Sequence, residues 1–198
     1  MSTVIKKNNF ITKQEYLKSE LTAKVKHEYV NGNIFAMAGA STSHRKISGN
    51  LFRHIANYLE DKSCTPYMSD ARVGTKNDYY YPDIVVDCNP DETPDSLYAE
   101  KPVLIIEVFS KNTKHLDKGR KLLEYINMPS VEEYVMLEQD SASVDVLRKS
   151  EGWILRNYIL GEDIYFESID LTLTVAEIYH RVDNEDMLEF LANKESAS

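Results

Sequence analysis

Two apolar runs limit what this chain can fold into: Ile84-Val85-Val86 and Val103-Leu104-Ile105-Ile106-Glu107-Val108-Phe109. The second is apolar on both alternating faces, the pattern of a central strand covered on both sides. One carboxylate, Glu107, interrupts it, and Pro82-Asp83 opens the first run. A charge among residues that expect burial is costly unless it is paired or metal-bound. Taken singly, Glu107 reads as a partner for a nearby Lys or Arg, and Asp83 as a turn or strand-end cap.

Local signals predict the flanking elements. Thr12-Lys13-Gln14-Glu15 fits a capping box and starts a helix from about Lys13 to Ser19. His27 to Met37, centred on Asn31-Gly32, is a β-hairpin. Ser41 to His44 starts a second helix, whose Ile47, Leu51, Ile55, Tyr58 and Leu59 form an apolar face ending near Asp61. Strands are expected over Pro66–Thr75, Tyr80–Asp87 and Val103–Phe109, with a polar loop over Asn89–Lys101. Asn112 or Thr113 caps a helix running to about Asn127, stopped by Met128-Pro129. Glu133–Glu138 is a strand, followed by an antiparallel hairpin of Ser143–Arg148 and Trp153–Leu160. Leu171 and Leu173 extend the chain, Val175–His180 is a short helix, and Asp186–Ala192 forms a last turn or two. The fold class is α/β (α+β), a mixed sheet flanked by helices. Its 198 residues suit one domain, 1–198, with a core over about 12–180 and a frayed tail at 194–198.

The longest unbroken apolar run is five residues, so nothing here spans a bilayer as a helix. Met1 to Phe10 lacks a signal-peptide apolar core, which reads as a cytoplasmic protein. Cys64 and Cys88 have no metal-site spacing and are expected to be reduced thiols. A net charge of −9 argues against a passive nucleic-acid coat. It leaves room for an enzyme whose metal-binding carboxylates add to the negative count.

The central stretch has the parts that phosphodiester hydrolysis requires. A metal neutralises developing charge and generates hydroxide, and a lysine often stands near the attacking water. Magnesium takes oxygen ligands and keeps several waters, so two or three carboxylates on rigid strands suffice. Lys121 lies four residues before Tyr125, on one side of the predicted helix, although alone it reads as a solvated helix face.

Tyr81-Pro82-Asp83-Ile84-Val85-Val86, Ile106-Glu107-Val108-Phe109-Ser110-Lys111-Asn112-Thr113 and Asp117-Lys118-Gly119-Arg120-Lys121-Leu122-Leu123-Glu124-Tyr125 together resemble the Uma-two family. These bacterial restriction-endonuclease-type proteins belong to the PD-(D/E)xK nuclease superfamily. His27-Glu28-Tyr29-Val30-Asn31-Gly32 is similar to the family's N-terminal hairpin, Ser43-His44 through Gly49-Asn50-Leu51 to its helix start, and Glu133-Tyr134-Val135-Met136-Leu137-Glu138 to the strand after its helix. The resemblance covers roughly Thr12 to Tyr179, and the order and spacing of the motifs carry it.

The resemblance implies a restriction-endonuclease-like core and a Mg²⁺-dependent (or Mn²⁺-dependent) endonuclease acting on DNA, with no organic cofactor. Asp83 and Glu107 would bind the metal, and Glu28 would add to the metal or its water shell. Lys121 would orient water and stabilise the phosphate. The superfamily lysine usually stands two positions after the acid, where this chain has Phe109; Lys121 satisfies its displaced form, with Lys118 in reserve. His27 also departs from the family's aromatic or Arg-like residue. His44 sits either near the pocket or as a helix-start histidine bonded to backbone or solvent. Ser110 either supports Glu107 or is structural. Lys111, Lys114, His115, Lys118 and Arg120 form either a DNA-backbone rim or a solvated helix face. A homodimer would present two sites to two strands. The competing readings are a silent nuclease-fold binding or assembly module, and a hydrolase acting on RNA or another phosphate ester.

Overall fold

The structure, a computed structural model, describes residues 10–37, 39–88, 98–99, 101–109 and 117–196, without the side chains of Asp117 and Lys118. The Thr12 hydroxyl accepts the Glu15 amide and the Glu15 carboxylate accepts the Thr12 amide, so α1 (Lys13–Glu20) opens on a full capping box. β1 (His27–Val30) and β2 (Asn33–Ala36) meet through Asn31 and Gly32, at φ +48° and +74°. That is the tight two-residue turn Asn-Gly favours. Ser41 caps α2 (Thr42–Leu59). There follow β3 (Thr65–Met68), β4 (Val73–Gly74), β5 (Tyr79–Tyr80), β6 (Ile84–Asp87), β7 (Pro102–Phe109), α3 (Asp117–Ile126), β8 (Glu133–Glu138), β9 (Ser143–Arg148) and β10 (Leu155–Ile159). β11 (Asp163–Phe166), β12 (Leu171–Thr174), α4 (Val175–Ile178) and α5 (Glu185–Ser196) complete the chain.

Six strands form the main sheet in the order β10-β9-β8-β7-β6-β3. β7 and β8 are parallel, joined across α3, and the other pairings are antiparallel. The sheet is therefore mixed and has helices on both faces. Leu104, Ile106 and Val108 of β7 pack with Ile47, Leu51 and Ile55 of α2. Ile105 and Phe109 pack with Tyr125 of α3 on the opposite face. Alternation puts Glu107 on the α3 face, in an apolar layer.

A second sheet, β2-β1-β5-β4, stands beside the first. Each strand expected over Pro66–Thr75 and Tyr80–Asp87 is in fact divided between the two sheets. The first breaks where Ser69 adopts φ +51°. The second breaks at Tyr81-Pro82-Asp83, where proline has no amide to give a ladder. The N-terminal hairpin is thereby held against the main sheet. β11 pairs with β12 and was not foreseen. The expected last turn is a helix reaching Ser196, and the expected cap at Asn112 or Thr113 lies outside the described residues.

Cys64 and Cys88 form a disulfide, correcting the expectation of free thiols. Thr65 pairs with Asp87 across β3 and β6, so the next residues outward face each other at a Cα separation of 4.0 Å. Strand register, invisible in the cysteine spacing, brings them together. Among the described residues, no helix is long and apolar enough to cross a membrane.

Candidate active site

Register brings the two central carboxylates together. Ile84 pairs with Ile106, so one step further Asp83 faces Glu107 on the same side of the sheet. Asp83 precedes β6, and its Oδ2 accepts the Val108 amide at 2.7 Å. The carboxylate thus takes a place that a backbone carbonyl would fill in a longer strand. Glu107 is 5% exposed.

α3 supplies the cation. Lys121 Nζ lies 3.0 Å from Glu107 Oε1, and Tyr125, one turn later, donates its hydroxyl to the same oxygen at 3.2 Å. β1 supplies the third carboxylate: Tyr29 pairs with Tyr79, which brings Glu28 beside the β5–β6 connection. Glu28 Oε1 lies 2.8 Å from Lys121 Nζ and accepts the Tyr81 amide at 3.4 Å. One ammonium therefore bridges acids from two sheets.

The charges do not balance. Glu28 and Glu107 share one lysine while Asp83 lies against His44, and burial, with Asp83 and Glu28 repelling, pushes the Glu107 carboxyl up to about 7 despite the attraction of Lys121. Burial favours neutral lysine, but Glu107 and Glu28 outweigh it and hold Lys121 well above its ordinary range. Lys121 is thus a fixed cation and not a base. His44, on the first turn of α2, places Nε2 3.2 Å from Asp83 Oδ2. Burial pushes its imidazole down, but the Asp83 hydrogen bond and charge outweigh burial and raise it. The Ser41 hydroxyl accepts the His44 amide and donates to Gln139. Glu28, His44, Asp83, Glu107 and Lys121 all line one open cleft of about 790 Å³.

Among the described residues, no three His, Cys, Asp or Glu side chains lie close enough together to hold a metal ion. Asp83 and Glu107 offer a facing pair of hard oxygen donors, with Lys121 and His44 beside them. That pair fits Mg²⁺ or Mn²⁺, which complete their shells with water.

Of the proposed rim, Lys111 and Lys114 lie outside the described residues, as do Ser110 and His115, and the Lys118 side chain is not described. Arg120 faces inward in part: its Nε and Nη2 donate to Asp78 Oδ2 at 3.0 and 2.7 Å. Asp78, fully buried, also accepts the Asn31 amide and the Tyr80 hydroxyl. Arg120 thereby acts as a strut between α3 and the hairpin that carries Glu28. Sequence reasoning missed Asp78, and also Lys24, Lys26 and Arg45, which line the cleft. Only the uncapped positive charge of Lys24-Val25-Lys26 before β1 could have flagged the latter group.

Comparisons with known proteins agree with this architecture. Residues 13–176 match Uma2, described as "putative restriction endonuclease". Uncharacterized protein slr1290 of Synechocystis sp. is 31% identical over 173 residues, covering 85% of this chain and 91% of the relative. Uncharacterized protein sll1609 of the same organism is 29% identical over 170 residues, 83% and 96% of the two chains. A crystal structure from Anabaena variabilis, titled a "putative nuclease belonging to DUF820", superposes with a TM-score of 0.66 at 16% identity, covering 82% of this chain and 96% of that one. That likeness establishes a shared fold. On the family match and the slr1290 likeness together, the chain belongs to the Uma2 family of restriction-endonuclease-like proteins.

Proposed function

We propose that the chain is a metal-dependent endodeoxyribonuclease that hydrolyses phosphodiester bonds by direct attack of water. The observation that carries this reading is the meeting of Glu28 and Glu107 on one buried lysine, with Asp83 facing Glu107 across the strands, all lining one open cleft. Asp83 and Glu107 would hold Mg²⁺ or Mn²⁺, which supplies Lewis acidity and lowers the pKa of water. Val108 and His44 fix the Asp83 carboxylate. Glu28 and Tyr125 hold the Lys121–Glu107 pair in place. Lys121, always charged, donates toward a phosphate oxygen as negative charge builds there.

The test is nicking of supercoiled plasmid in Mg²⁺ or Mn²⁺ by wild type, Glu107→Gln and Lys121→Ala. Wild type is expected to nick, and each variant to lose about 10²–10³-fold in rate, the scale of one lost transition-state contact. Folded wild type that neither nicks any DNA nor binds metal by calorimetry would sink the reading. One observation favours a second reading, a silent nuclease-fold module: the absence of a three-donor metal cluster among the described residues. The calorimetric arm separates the two.

A further inference from the structure

The cleft has acids at its base and cations at its mouth. Glu107 and Asp83 lie deep, whereas Lys24, Lys26 and Arg45 are exposed and line the same cleft. These three come from the segment leading into β1 and from the first turn of α2, not from α3. Among the described residues Lys24 has no ion-pair partner, Arg45 makes one bond to the Thr42 hydroxyl, and Lys26 is paired with Asp70. The first turn of α2 contains no acidic residue. In a chain of net charge −9, these cations gather on one wall of the cleft that holds the acidic site.

We infer that the wall formed by Lys24, Lys26 and Arg45 seats the DNA backbone, gripping the phosphates that flank the one delivered to Lys121. This rests on the nuclease reading and adds a second bank of cations to the one expected around α3, where Arg120 also bonds Asp78. Each cation that neutralises a phosphate releases counterions, so its removal weakens binding and flattens the salt dependence. Side chains that meet phosphates fix position and carry no sequence information, so the wall reads charge.

The test measures anisotropy of a fluorescein-labelled DNA duplex with the full chain in EDTA over a KCl series, alongside plasmid nicking in Mg²⁺. Lys24→Ala and Arg45→Ala are each expected to reduce the slope of log affinity against log salt by about 1. Lys26→Ala should reduce it less, since Asp70 already shares its charge. Lys24→Arg and Arg45→Lys should keep the wild-type slope. Lys62→Ala, beyond the far end of α2 and about 27 Å from its start, should leave the slope unchanged. In nicking, Lys24→Ala and Arg45→Ala should raise KM and preserve kcat. Wild-type binding and nicking with unchanged slopes in the wall variants would overturn the wall and leave the nuclease reading standing. Wild type that neither binds nor nicks DNA would overturn both. Tighter binding of an RNA duplex of the same sequence would overturn the assignment to DNA.

Discussion

Two buried ionic clusters sit on the same sheet, and only one resembles a site of chemistry. In the first, Glu133 and Arg148 face each other directly across β8 and β9. Glu133 Oε1 accepts Arg148 Nε at 2.9 Å, and Oε2 accepts the Ser168 amide and hydroxyl at 2.9 and 2.7 Å. Arg148 gives Nη2 to the Tyr165 carbonyl and Nη1 to the Tyr158 hydroxyl. Glu133 and Glu151 meet Arg148 and Arg156, so the charges match two for two, and both oxygens of Glu133 are bonded. In the second cluster, Glu28 and Glu107 share one lysine, and among the described residues Asp83 has only His44 as an ionic partner. The whole lines an open cleft, and Glu107 is pushed up to about 7 chiefly by burial. A buried ion pair therefore says little about function by itself. Charge imbalance combined with access from outside is the more informative sign.

Exchanging lesions between the clusters should separate their roles, with the largest effects first. Glu107→Gln should lower nicking by about 10²–10³-fold and leave the melting temperature unchanged or higher, because burial already disfavours the ionised carboxylate and Glu28 still faces Lys121. Arg148→Ala should do the reverse, costing about 3–5 kcal/mol of stability by stranding Glu133, while the folded fraction keeps its kcat. Urea denaturation and single-turnover nicking measure the two quantities. A large activity loss in folded Arg148→Ala would erase the distinction.

Asp78 and Arg120 sharpen it, since they belong to neither type. Asp78 is closed off and fully bonded like Glu133, yet it joins α3 to the hairpin and so sets Lys121 against Glu28. Arg120→Ala leaves Asp78 its Asn31 and Tyr80 partners and should cost about 1–3 kcal/mol, with a fall in kcat that Arg120→Lys partly restores. An unchanged kcat in folded Arg120→Ala would make the strut purely structural.

The sequence made much of this arrangement legible, for identifiable reasons. Asn31-Gly32 and the Thr12–Glu15 box are local devices whose geometry lies within four residues, and both are present. Glu107 is conspicuous because only one residue of β7 departs from an apolar pattern. What could not be read is whatever depends on which strands become neighbours. The Cys64–Cys88 disulfide, the two changes of sheet and the Asp78–Arg120 strut join residues through register or through contacts between sheets. Lys24, Lys26 and Arg45 escaped notice for the same reason: they are separate in sequence and meet only at the mouth of a folded cleft.

A pH dependence confined to the Glu107 cluster is also expected. Without metal, the folded chain holds a proton on Glu107 up to about 7, whereas the unfolded chain releases it near the ordinary 4.5. Between those values the folded state binds more protons, so stability falls as pH rises. Below 4.5 both states are protonated, and above about 7 both are ionised, so the contribution is flat outside the window. His44, also raised, adds a fall of the same sign above its ordinary 6.5. Glu107→Gln should remove the decline at the acid end of the window and leave the His44 part in place, whereas Glu133→Gln should leave both. Saturating Mg²⁺ should reverse the Glu107 slope, because an ion that binds only the ionised, folded form stabilises it more as pH rises. Melting temperatures from pH 4.5 to 7 with EDTA and with Mg²⁺ decide the matter. Parallel curves for wild type and Glu107→Gln would show that Lys121 compensates Glu107 as completely as Arg148 compensates Glu133, and the contrast between the clusters would collapse.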